Sequence, residues 1–233
     1  MGVKKSFLPG SAVLAVALIA FFPLPAASQS AGGGSFIDSR DGQEYHTVKI
    51  GNQTWMAENL NYKPRADSSW CYDDRESNCK KYGRLYTWNA AKSVCPNGWH
   101  LPLPTDWDSL MAAAGGVWKI IGPTWFRYEA AGKKLKSASG WNNTGYDEEG
   151  AALSVDNGNG TDEFGFSALP GGLRSFGGIF HGAGEYGLWW NTMDDDVGGA
   201  FRLSMSYDED GVDDDNGYTV LGHSVRCLKN NER

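Results

Sequence analysis

Three runs of this chain carry enough oxygen donors to interest a hard cation. They are Asp194-Asp195-Asp196, the stretch Asp208-Glu209-Asp210-Gly211-Val212-Asp213-Asp214-Asp215, and Asp156-Asn157-Gly158-Asn159-Gly160-Thr161-Asp162-Glu163. Calcium takes six to eight oxygen ligands, and extracytoplasmic sites for it are often assembled from such loops. Asp208, Asp210, Asp213 and Asp215 are therefore the candidate metal ligands, with calcium as the candidate ion. None of the runs has the alternating acids, central glycine and distal glutamate of the regular calcium loop. Solvated loops on an acidic protein are the competing reading.

A second chemistry is suggested by aromatic rings placed beside amides. Sugars stack their apolar C–H faces on flat rings and take hydrogen bonds from neighbouring polar groups. Trp141-Asn142-Asn143 and Trp189-Trp190-Asn191 combine both ingredients, as does Trp125-Phe126-Arg127-Tyr128. The candidate ligand-binding residues are Trp141, Asn142, Trp190 and Asn191. Successive strand residues point to opposite sides, so Trp189 can be core while Trp190 meets a ligand. Most of the other rings are expected in the core. Support for catalysis is thin. No Gly-x-Ser-x-Gly elbow occurs, and His46, His100, His181 and His223 lie in unrelated contexts. His100 reads as a hydrogen-bonded core histidine. Acids are too abundant for a carboxylate pair to stand out.

The cysteines are Cys71, Cys79, Cys95 and Cys227. An even number in an exported chain argues for disulfides. Three pairings are open in principle. Cys71 and Cys79 flank a short polar loop and pair most simply with each other, which leaves Cys95 for Cys227. The absence of a Cys-x-x-Cys pair and the scattered histidines argue against zinc.

Export is read from Met1–Ser28: Lys4 and Lys5, an uncharged apolar run Ala12–Phe22, helix-breaking Pro23 and Pro25, then Ala26-Ala27-Ser28. The apolar run is shorter than a membrane span of about 20 residues, so no transmembrane segment is expected after cleavage. Secreted, periplasmic and outer-surface destinations share this signal. Removal of two lysines leaves 19 Lys+Arg against 28 Asp+Glu, a net charge of −9. Such a surface disfavours nucleic acid and anionic lipid. Residues 29–35, rich in glycine and serine, read as a flexible tether ahead of one domain over 36–229.

The elements that must position these residues are short. Phe36–Ala57 is β-like, with turn signals at Asp41-Gly42 and Gly51-Asn52. The segment Tyr62–Lys81 reads as irregular. Thr87 caps a helix over Trp88–Val94, and Thr105 caps a second over about Asp106–Ala114, burying Trp107, Leu110, Met111 and Ala114. Lys133–Ser137 adds a helical turn. Short strands are expected at Gly165–Leu169, Leu188–Asn191, Ala200–Ser206 and His223–Leu228, separated by glycine- and aspartate-rich loops. Pro170-Gly171-Gly172 reads as a turn with no room for side chains. Arg174 and Arg226 are expected as buried partners of acids. The layout is α+β.

Six segments, in order, carry a resemblance: Trp55-Met56-Ala57-Glu58-Asn59-Leu60-Asn61, Tyr82-Gly83-Arg84-Leu85-Tyr86-Thr87-Trp88, Cys95-Pro96-Asn97-Gly98-Trp99-His100-Leu101-Pro102, Gly132-Lys133-Lys134-Leu135-Lys136-Ser137, Phe164-Gly165-Phe166-Ser167-Ala168-Leu169-Pro170-Gly171-Gly172, and Ser224-Val225-Arg226-Cys227. Together they resemble the Fibrobacter succinogenes major paralogous domain, a family of exported bacterial proteins, over about Phe36–Lys229. The resemblance implies a C-type-lectin-like or formylglycine-generating-enzyme-like fold: two early helices, short antiparallel strands, long loops, and disulfide bracing. In such folds a bridge links the end of the first helix to the last strand, a role that Cys95–Cys227 fits. After Trp189-Trp190 this chain has Asn191-Thr192-Met193 where the family is often serine-rich, so no shared contact is carried over there. The expected function is a non-catalytic binding domain at the cell envelope, recognising polysaccharide or a surface protein. The alternatives are an extracytoplasmic enzyme and a structural envelope component.

Overall fold

The first β-layer follows directly from alternation. In the computed structural model, which describes residues 1–2, 33–65, 67–122, 126–146, 152–154, 158–195 and 197–231, strands β1 (Gly34–Ile37), β2 (Glu44–Ile50) and β3 (Gln53–Met56) form an antiparallel meander. Within β2, Val48 and Ile50 are buried on one side and Tyr45 on the other. The export segment lies outside the described residues, as do residues 29–32 of the tether. β1 begins at Gly34, two residues inside the segment read as tether.

Three helices follow rather than two. β4 (Ser69–Trp70) leads into α1 (Glu76–Tyr82), then come β5 (Leu85–Tyr86), α2 (Trp88–Val94), β6 (Trp99–His100) and α3 (Pro104–Ala113). α1 falls in the stretch read as irregular. It is short and polar, and Cys79 within it is bonded to Cys71. α2 has the expected bounds, and the Thr87 side chain accepts from the Ala90 N–H. α3 starts two residues earlier than expected. Pro104 occupies its first turn, where a missing N–H costs nothing, and Asp106, not Thr105, caps it by accepting from the Leu103 N–H at 2.9 Å. Its buried face is Trp107, Leu110, Met111 and Ala114, as the spacing predicts.

The second half is built from β7 (Val117–Ile120), β8 (Phe126–Glu129), α4 (Ala131–Leu135), β9 (Thr144–Tyr146), β10 (Ala152–Ser154), β11 (Gly171–Arg174), β12 (Phe180–Ala183), β13 (Tyr186–Asp194), β14 (Gly199–Ser206), β15 (Val212–Tyr218) and β16 (Leu228–Lys229). Two five-stranded sheets dominate, ordered β1-β2-β3-β16-β6 and β13-β14-β15-β8-β7, with antiparallel pairing throughout. Gly165–Leu169 is irregular apart from one bridge at Ala168, and only the end of His223–Leu228 is strand. Pro170-Gly171-Gly172 runs into β11 rather than closing a turn. Side chains are nevertheless excluded there: Gly172 has φ +66°, and a Cβ on it would lie 2.4 Å from the His181 carbonyl.

The core sits on both sides of β13. Trp189 joins Trp55, Trp107 and Phe166 on one side, where the last three rings pack within 4.9–6.2 Å of one another. Trp190 joins Tyr45, Tyr86 and Trp88 on the other. Each ring pair adds about 0.5–1.5 kcal/mol beyond its buried area. Two disulfides brace the chain, Cys71–Cys79 and Cys95–Cys227, the latter joining the end of α2 to the residue before β16. The chain from Ala31 to Arg233 closes as one unit. The fold is α+β.

Candidate binding site

The second half of the acidic stretch expected as a loop is strand. β15 carries Asp213, Asp214 and Asp215 in succession, and the neighbouring strands place an arginine opposite two of them. Asp213 faces Arg127 of β8, with Nε to Oδ1 at 2.6 Å, and Asp215 faces Arg202 of β14 at 2.7 Å. Cross-strand neighbours on one face pair in this way. Arg127 also holds Glu209. The Asp213 carboxylate beside it raises the Arg127 pKa further above its ordinary value. Asp215 is pushed up by burial, a shift that Arg202 opposes.

Asp214 points to the other face and differs in kind. It sits opposite Phe126 and Leu203, and its Oδ1 is buried without a hydrogen-bond partner among the described residues. Burial, and then the charges of Asp108 and Asp215, push its carboxyl up to about 6. Asp108, on α3, is hydrogen-bonded by the Tyr128 hydroxyl. Beneath Arg202, His223 is fully buried against the Trp190 ring, at 4.3 Å. Burial, with Arg202 second, lowers its pKa well below the ordinary value. Arg202 Nη1 lies 2.9 Å from Nε2. A guanidinium only donates, so Nε2 accepts and the ring proton is on Nδ1.

Beside the Phe126 end of β8 a cavity of about 410 Å³ opens, lined by Ile121, Phe126, Arg127, Asp213, Asp214, Asp215 and Asn216. It combines an aromatic ring and an aliphatic side chain with carboxylates, an amide and a guanidinium. Such a mixture binds and orients a small polar ligand that has apolar faces. A hollow of about 460 Å³ between Tyr62 and α2 is less suited, because the Arg40 guanidinium already covers a face of Tyr62 at 3.8 Å.

The residues singled out by sequence for sugar stacking are mostly elsewhere. Trp141 is buried and donates its ring N–H to Ser137 Oγ and the Ala168 carbonyl. Trp190 is 0% exposed and donates to the Tyr86 carbonyl. Asn191 is buried, its side chain accepting from the Met193 N–H and its carbonyl from the Trp88 indole. A ring with no exposed face offers nothing to a sugar. Both tryptophans of the pair are core because β13 has a core on each side. Asn142 alone of the four is exposed.

The four candidate metal ligands do not converge. Asp208 and Asp210 are exposed on the turn before β15, taking a hydrogen bond from Ser206 and an ion pair to Lys133 at 4.0 Å, while Asp213 and Asp215 are occupied by arginines. Among the described residues, the three metal-ligating side chains that do cluster are Cys71, Glu76 and Cys79, and their sulfurs are joined in a disulfide. Asp156, Asn157, Asp196 and Trp125 lie outside the described residues. Phe126 and Arg127 fall within a segment named from sequence, but Ile121 and Asn216 do not, because nothing distinguishes them in sequence from an ordinary aliphatic residue and a loop amide.

Among the described residues, Arg174 and Arg226 do not pair with acids. Arg174 lies over the Trp70 ring at 3.9 Å. Arg226 is fully buried and is held by Asn59 Oδ1 and by the carbonyls of Met56, Phe166 and Ser167. His100 is hydrogen-bonded to Asn230 and Asp106 as expected, but on a partly exposed strand rather than in the core.

This buried network gathers segments that are distant in sequence. Asn59 accepts from Arg226 and from the Trp189 indole and donates to the Tyr82 carbonyl. The family model of the Fibrobacter succinogenes major domain matches residues 48–229. The chain belongs to that family. No curated protein and no solved structure matches it. Asn59, Tyr82, Phe166 and Arg226 of this Fibrobacter succinogenes major domain hold the scaffold together. The cavity beside β8 lies apart from them, and no helix of the described residues is long and apolar enough to cross a membrane.

Proposed function

We propose that this protein is an exported, non-catalytic binding domain of C-type-lectin-like fold that recognises polysaccharide at the cell envelope, through the cavity beside β8. The observation that carries this reading is the composition of that cavity, with Phe126 and Ile121 set against Asp214, Asn216 and Arg127. A pyranose has an apolar face for the ring and hydroxyls for the polar groups. The lectin-like fold is supported by the Cys95–Cys227 bridge, which ties the end of a helix to the strand that enters the sheet between β3 and β6. Export is supported by the leader-like N-terminus and by pairing of all four cysteines.

The test is a glycan array probed with wild type and Phe126→Ala, each with and without a calcium chelator, and with released sugar measured in parallel. Binding lost in Phe126→Ala, insensitive to chelator and without release of sugar, is expected. Release of sugar would favour an enzyme instead. Recognition of a surface protein is the second reading, favoured by β7. It is an edge strand whose four residues are all exposed, including Val117, Trp118 and Ile120. An extended segment could add to such an edge. A silent array, with Ile120→Lys abolishing capture of an envelope protein, would select that reading.

A further inference from the structure

The cavity beside β8 has a neighbour. A second hollow, of about 430 Å³, is lined by Asp195, Val197, Gly199, Asn216, Gly217 and Tyr218, so Asn216 borders both. Strand register puts part of the shared wall on one face of the sheet, while Asp213, Asp215 and Arg127 reach the first hollow from the other. Phe126 is directly opposite Asp214, and Asp214, Asn216 and Tyr218 are alternate residues of β15. Both ends of this wall carry rings. At one end Trp118 stacks on Phe126, with centroids 5.2 Å apart and planes 14° apart. At the other, Phe176 meets Tyr218 edge-on at 5.2 Å. Between them are the Asp214 carboxylate, the Asn216 amide and Asp195, whose carboxylate accepts from the Val197 and Gly199 N–H groups and from Asn216.

The placement of these rings is unusual for this molecule. Most of its large aromatics among the described residues are buried or half-buried. The markedly exposed ones among the described residues are Trp118 (50%), Phe176 (56%), Tyr186 (42%) and Tyr218 (63%), and three of the four border this wall. Leaving several rings in water side by side gives up burial that the fold obtains elsewhere.

We propose that the two hollows are a single track for an extended, neutral polysaccharide chain, with a ring platform at each end and hydroxyl-binding groups between. The proposal rests on the reading that the Phe126 cavity binds saccharide, and it adds the form of the ligand. From Asp214 to Tyr218 the strand advances about 13 Å, at about 3.3 Å per residue, and the ring pairs lengthen the track at both ends. That length suits several linked sugars rather than one. The carboxylates along it disfavour an anionic chain.

The experiment is calorimetric titration of the full mature chain with β-1,4-linked glucan, xylan and mannan oligosaccharides, from disaccharide to hexasaccharide, and with oligogalacturonides as an anionic series. For at least one neutral series, affinity should rise about tenfold from disaccharide to hexasaccharide, the size of one ring contact. Tyr218→Ala and Phe176→Ala should remove that rise and leave disaccharide affinity unchanged. Phe126→Ala should weaken both. The substituted rings at the Tyr218 end are exposed, and unchanged thermal melting would show that the variants fold. Equal affinity for short and long members, no effect of Tyr218→Ala on the hexasaccharide, or preference for oligogalacturonides would each overturn the track while leaving the Phe126 cavity as a saccharide site. Silence across every series would overturn both.

Discussion

Asp214 shows how a single side chain can be set against the stability of the fold. Its carboxyl is pushed up to about 6, by burial first and by Asp108 and Asp215 after it, against about 3.9 for a free carboxyl. The folded state therefore holds a proton between about pH 4 and 6 that the unfolded chain releases. The stability linked to this proton is full below about pH 4 and is lost as pH rises through about 6. Asp214→Asn should stabilise the protein above neutral pH by about 1–2 kcal/mol, after discounting for partial exposure, and should add nothing below about pH 4. Urea unfolding at both pH values checks this; an unchanged midpoint above neutral pH would mean that the charge is compensated. Arg226 is the opposite case, a buried cation satisfied by amide and carbonyl oxygens, with its pKa lowered to about 9 by burial. Lysine has a single ammonium and cannot reach those oxygens together. Arg226→Lys should cost about 3 kcal/mol, read as a lower midpoint in urea, with the binding site unaltered in the fraction that remains folded.

At the level of elements, β15 decides what the acidic stretch can do. Alternation along the strand sends Asp213 and Asp215 to one side, where Arg127 and Arg202 neutralise them, and Asp214 to the other. Oxygens already engaged by guanidinium groups and divided between two faces make a poor calcium cage. Millimolar calcium, or its chelation, should leave the melting temperature unchanged. A calcium-dependent rise would show that some of these ion pairs open to admit the ion. Helices and strands differed in legibility for a physical reason. α2 and α3 announce themselves because a capped amphipathic helix is specified by residues three and four apart. β15 has the composition of a loop, and what makes it a strand is Arg127 and Arg202 on separate strands. α1 is short and polar and was invisible for a related reason. Asp106 is the element-scale test: it caps α3 through the Leu103 N–H, so Asp106→Ala should cost about 1 kcal/mol of stability in thermal melts.

For the molecule as a whole, the Cys95–Cys227 bridge closes 132 residues of separation and the Cys71–Cys79 bridge closes 8. Chain entropy assigns about 5 kcal/mol to the long loop and about 2.5 to the short one, both upper estimates. Replacing Cys95 and Cys227 by serine should therefore lower the melting temperature more than replacing Cys71 and Cys79. The reverse order would mean that the small loop organises the fold through Arg84, whose guanidinium lies 3.4–3.5 Å from both of its sulfurs.

Sequence alone determined the class of this protein: α+β, braced by paired cysteines, with its family written in six ordered segments. It determined these because capping, strand alternation, cysteine parity and motif order are local or countable properties. Tertiary structure alone decided where the chemistry lies. Trp141, Trp190 and Asn191 had the right composition for a sugar site, yet a second core behind β13 and the Ser137 hydroxyl and Ala168 carbonyl around the Trp141 indole enclose them. Phe126, Asp214 and Asn216 come from segments about ninety residues apart and become one surface only when β8 pairs with β15. Exposure and convergence are properties of packed layers, and no short window of sequence carries them.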